Sequence, residues 1–121
     1  MIKITAILLI CVMHIPALAE QQSISKNTLL TRSNALASEM GATFQLAQNC
    51  GQDMPNIAAS RATTLFRNYF AESEVTKIMS HYHLLVAQEK NKSCNRDKVK
   101  FHILMNKIAV YIGLASRFNN N

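Results

Sequence analysis

Glycine and proline are scarce in this chain, three and two among 121 residues. No stretch alternates apolar and polar side chains as a half-buried strand must, and the apolar residues recur at helical spacing throughout. Helix is therefore the regular structure to expect. Catalytic patterns are missing as well. There is no Cys-x-x-Cys redox pair, no Cys-x-x-Cys-His haem site, no His-Glu-x-x-His, and no serine or threonine in a nucleophile motif. His81 and His83, two apart, point to opposite sides of a helix and cannot chelate one metal together. Met79 and His83 are four apart and share a side, as soft-metal ligands would, but Met79 already belongs to an apolar stripe and packing explains it. We expect no catalytic residue, no metal ligand and no cofactor, and hence no enzyme.

Long apolar runs are also absent, with one exception at the start. Lys3 supplies a positive charge, Ile4 to Ile15 is apolar apart from Thr5 and His14, and Pro16-Ala17-Leu18-Ala19 presents small residues at a break. This reads as a cleavable export signal over residues 1–19, cut between Ala19 and Glu20. It is shorter than the roughly 20 apolar residues of a membrane-spanning helix. Cys11 does not make it a lipoprotein signal, because bulky, β-branched Ile10 stands where a small residue is required. No transmembrane anchor and no lipid anchor are expected, and Cys11 leaves with the signal. Residues 20–121 then form one domain.

Acidic residues are few, 7 against 13 Lys and Arg, for a net charge of +6. Loss of Lys3 lowers this by one, to +5. A basic surplus favours anionic surfaces, either lipid headgroups or an acidic partner. Only Lys90, Lys92, Arg96, Lys98 and Lys100 cluster, and they read as the solvated turn between two helices rather than as a binding site. Nucleic acid is not expected, since no recognition motif is present. Two cysteines remain in the exported portion, Cys50 and Cys94, and an even count there argues for a disulfide. It would close a loop of about 45 residues, worth at most about 4 kcal/mol by chain entropy.

The apolar periodicity predicts four helices, at about 28–49, 56–70, 74–91 and 95–117. In the first, Leu29, Leu36, Met40, Phe44 and Ala47 share a stripe, Asn27 is the expected N-cap, and Cys50-Gly51 the expected stop. Gly41 lies off that stripe, at a cost of about 1 kcal/mol relative to Ala. Ala58, Ala62, Leu65, Phe66 and Tyr69 form the second stripe. Ser73 would cap the third helix, where Val75, Ile78, Met79, Tyr82, Leu85 and Val86 align. Short connections suggest an all-α, up-down-up-down four-helix bundle. In that topology the end of helix 1 and the start of helix 4 lie at the same end, so a Cys50–Cys94 bridge is geometrically reasonable.

Helix 4 is apolar nearly all round. Val99, Ile103, Val110 and Leu114 form one stripe; Leu104, Ile108, Tyr111, Ile112 and Ala115 form another. Such a helix is either central in the fold or shares a face with a partner. Since a four-helix bundle has no central helix, helix 4 is either tucked into an irregular core or docks a partner. As the candidate partner-binding face we take Leu104, Ile108, Tyr111 and Ile112.

Residues 36–56, LASEMGATFQLAQNCGQDMPN, resemble the first helix and following turn of the type II secretion pilotin family. The family has a small residue near the middle of that helix, a cysteine at its end and a Leu/Met-Pro pair soon after. Its second cysteine opens the last helix, as Cys94 does here. Cys50 and Cys94 match the family disulfide, and Met54-Pro55 matches the turn. The resemblance implies a periplasmic accessory protein that binds a short C-terminal helix of an outer-membrane secretin subunit. Usual pilotins deliver that subunit through a lipid anchor, which this sequence lacks, so it looks like a non-lipidated relative. Two other functions fit the composition: a periplasmic stress chaperone of the holdase type, exposing apolar surface when it loosens, and a structural subunit of an envelope assembly.

Overall fold

The computed structural model describes residues 23–52 and 57–119. The export signal expected at 1–19 and the Met54-Pro55 turn lie outside the described residues. Within them the chain forms four α-helices: α1, Lys26–Asn49; α2, Ile57–Arg67; α3, Glu72–Glu89; and α4, Phe101–Asn119. A single 3-10 turn, Arg96–Lys98, precedes α4.

The helix ends follow local chemistry, with three corrections to the sequence reading. Ser25 caps α1, its Oγ accepting from the Thr28 N–H at 3.2 Å, so Asn27 falls inside the first turn. Ala71, and not Ser73, is the N-cap residue of α3; the Glu74 carboxylate accepts from the Ala71 N–H at 3.2 Å. Asn95 caps the 3-10 turn, its Oδ1 accepting from the Asp97 N–H at 3.1 Å, and α4 opens only at Phe101. The chain must leave Cys94, held beside the end of α1, and turn before α4 can lie along α1. The stop at Cys50-Gly51 is where it was expected. Gly51 sits at φ +80, the Gly51 N–H donates to Gln48 O at 2.9 Å and the Gln52 N–H to Ala47 O at 3.1 Å. That is a Schellman motif, which favours glycine at the left-handed position.

The helices run up, down, up and down, and the Cys50–Cys94 disulfide joins the end of α1 to the segment leading into α4, with Cα atoms 4.6 Å apart. The packing is less square than that order implies. α1 packs against each of the other three helices. Its closest companion is α3, which runs parallel to it: Lys26 pairs with Glu74 at 2.7 Å at one end, and Asn49 Nδ2 donates to Glu89 O at 2.8 Å at the other. Lys26 above all, and then the Ala71 N–H, hold the Glu74 carboxyl below its ordinary pKa. Midway, Gly41 lets the two helices touch. A Cβ there would stand 2.2 Å from Tyr82 O.

The core between α1, α2 and α3 uses the expected stripes, with Leu29, Leu36, Met40, Ala62, Phe66, Val75, Ile78, Met79 and Tyr82 all buried. Burying an aliphatic or aromatic side chain of this size is worth about 1.5–3 kcal/mol relative to exposure. α1 is thus the central element. Among the helices, α4 approaches the backbone of α1 alone; aromatic contacts join it to Phe66 of α2 and to Tyr69 and Phe70 just after it. No helix among the described residues is long and apolar enough to cross a membrane.

Candidate functional site: the groove between α1 and α4

α4 lies antiparallel to α1. Phe101 is near Phe44, Lys107 forms an ion pair with Glu39, and Tyr111 reaches Ser33. Leu104, Ile108, Tyr111, Ala115 and Phe118 recur at spacings of four and three, so they fall on one side of the helix. That side faces α1: Leu104, Tyr111 and Ala115 are buried, and Ile108 and Phe118 pack against the core in part. Ring contacts lock it further, with Tyr111 edge-on to Phe66 at 5.7 Å and to Tyr69 at 6.1 Å, and Phe118 stacked on Phe70 at 6.2 Å.

The Tyr111 hydroxyl lies 2.6 Å from Ser33 Oγ, and Ser33 Oγ donates its one proton to Leu29 O at 2.7 Å. Tyr111 is therefore the donor to Ser33. Burial pushes its phenol up to about 12.

This placement corrects the partner-binding face read from the sequence. Leu104 and Tyr111 are core residues, 2 % and 3 % exposed, and cannot greet a partner; Ile108 is half-buried; Ile112 alone, 44 % exposed, points outward. The reason is α4's position. A helix that packs on a single neighbour buries one stripe and leaves both flanks open. One flank carries Met105 and Ile112. The other carries Ile103, Val110 and Leu114, which belong to the first of the two stripes read from the sequence.

The second flank faces a groove. Leu36 and Tyr111 lie at its base; Arg32, Ala35 and Glu39 line it from α1, and Ile103, Lys107, Val110 and Leu114 from α4. Its volume is about 540 Å³, within the roughly 300–1,000 Å³ common for ligand clefts. Along α4 it runs from Ile103 to Leu114, about 16 Å at 1.5 Å per residue, or three turns of a docked helix. Val110 is 64 % and Ile103 38 % exposed, so apolar surface stands open to water. The Lys107–Glu39 ion pair spans the two walls, while Arg32 makes no ion pair among the described residues.

Among the described residues there is no group of three or more His, Cys, Asp or Glu side chains able to hold a metal. Met79 is in the core and His83 is exposed beside the Tyr82 ring, 5.4 Å between centroids. Gln45 and Asn49 are engaged structurally: Gln45 Nε2 donates to Asn49 Oδ1 at 2.9 Å, which orients Asn49 toward Glu89 O. The signal that could have found the groove was in the sequence. Leu104, Ile108, Tyr111, Ala115 and Phe118 continue one core stripe over four turns, with a small residue where helices touch, whereas Ile103, Val110 and Leu114 are interleaved with Asn106 and Lys107. No known protein family, curated protein or solved structure matches the chain.

Proposed function

We propose that this chain is an exported, helix-binding accessory protein of the periplasm, pilotin-like in its task, and that its site is the groove between α1 and α4. The observation that carries the reading is the open apolar flank of α4, Ile103, Val110 and Leu114, three turns long and set against an α1 wall of about two turns, Arg32 to Glu39. An amphipathic helix presents apolar side chains at i, i+3 or i+4, and i+7, which is the periodicity such a groove accepts. The resemblance of residues 36–56 to the pilotins supplies the occupant: a short helix from the C-terminal end of a secretin subunit. The disulfide supports a location in an oxidising compartment.

Apolar burial contributes about 25 cal/mol per Å², and ordering a free peptide takes back part of it. Micromolar affinity, about −8 kcal/mol, is the expectation. The test is fluorescence anisotropy with a labelled secretin C-terminal peptide and a scrambled peptide of the same composition. Wild type should bind the first and not the second, and Val110→Glu should lose binding with its melting temperature unchanged. Equal binding of both peptides, as an unselective holdase would show, or undiminished binding by Val110→Glu, would overturn the proposal.

A further inference from the structure

The end of the bundle where α1 and α3 stop carries a charge that the groove does not use. Five of the eleven residues from 90 to 100 are basic, Lys90, Lys92, Arg96, Lys98 and Lys100, against Asp97 alone. All five are exposed. Lys92 pairs with Glu89 at 2.8 Å; the other four make no ion pair among the described residues.

The segment is not a loose tether. Cys94 is bonded to Cys50, Asn95 caps the 3-10 turn, and the Lys98 and Val99 N–H groups donate to Asn95 O and Arg96 O, each at 3.1 Å. Lys92, Arg96 and Lys98 line a shallow concavity of about 430 Å³ over Leu46. The acidic side chains Glu72 and Glu74 are at the start of α3, the opposite end of the molecule. The charge is therefore concentrated, fixed in shape and turned outward at one end.

We propose that this basic end docks on a bilayer surface bearing anionic lipid headgroups. Juxtaposed lysines and arginines are drawn to such a surface individually and additively, each contributing about fivefold in partitioning. A flat array of phosphate groups engages four or five at once, which a single small anion cannot. Without an inserted chain the attachment is reversible and weakens as salt rises. The groove runs along the side of the bundle, so docking at this end leaves it open. The inference does not depend on what the groove binds.

The experiment is cosedimentation of the intact, oxidised protein with vesicles of phosphatidylethanolamine and phosphatidylglycerol, and with vesicles of phosphatidylcholine alone. A variant with Lys90, Arg96, Lys98 and Lys100 all changed to Gln is compared with one in which Lys26, Arg61, Arg67 and Lys77 are. Wild type should sediment with the anionic vesicles at low salt and not with the zwitterionic ones. The first variant should lose at least about a hundredfold and the second little. The proposal is overturned if anionic vesicles bring down no protein, or if both variants lose equally, which would make net charge the cause. It is also overturned if inorganic phosphate at matched ionic strength abolishes binding, which would make free phosphate the ligand, or if an acidic polypeptide binds where vesicles do not.

Discussion

At position 41 a hydrogen stands where any side chain would strike the Tyr82 carbonyl. Helix propensity alone would favour alanine there by about 1 kcal/mol. The collision is with backbone, which cannot swing aside, so the sign reverses. Gly41→Ala should destabilise the protein by about 1–3 kcal/mol in urea denaturation. The sequence showed the cost of this glycine and not its use, because a close helix crossing depends on a residue 41 positions away. Tyr111 is a second residue whose role needed the structure. Its phenol, ordinarily near 10, is raised to about 12. The unfolded chain therefore releases that proton first as pH rises, so its contribution to stability is complete below pH 10 and falls away toward pH 12. Tyr111→Phe should cost about 1 kcal/mol at neutral pH and make the alkaline decline shallower. Melting curves from neutral to strongly alkaline pH would check both.

Among the elements α4 is the most informative. Its two apolar stripes were both legible; periodicity gives only the angle between them, and the one sign of which meets α1 is that Leu104 to Phe118 runs unbroken while Ile103, Val110 and Leu114 are interleaved with Asn106 and Lys107. The structure decides it, since α4 leans on one helix and leaves two flanks uncovered. A paired substitution separates the stripes. Ile108→Glu places a carboxylate against the core and should cost several kcal/mol, enough to unfold much of a marginal protein. Val110→Glu, two residues on, adds its charge to a side chain that is already 64 % exposed and should change stability by less than about 0.5 kcal/mol. Circular dichroism melts of the two proteins are the check. Equal loss in both would mean that Val110 is packed after all.

For the whole molecule, the helical class, the four helices and the disulfide were readable, because periodicity and cysteine position are local signals that agree. What could not be read was that α1 sits at the centre and packs most closely on α3, its diagonal partner in a square bundle. The disulfide holds the one end at which α1, α3 and the lead into α4 converge. Changing both Cys50 and Cys94 to Ser should lower stability by up to about 4 kcal/mol and loosen the 90–100 segment before the core. Hydrogen exchange would show amides of that segment losing protection first, and uniform loss would contradict it. The groove, however, is the central claim, and the most direct measurement is a heteronuclear NMR titration of the labelled protein with a secretin C-terminal helix peptide. The account predicts shift changes concentrated at Arg32, Leu36 and Glu39 on α1 and at Ile103, Lys107, Val110 and Leu114 on α4. Changes centred instead on Met105 and Ile112, or none at peptide concentrations well above micromolar, would contradict it.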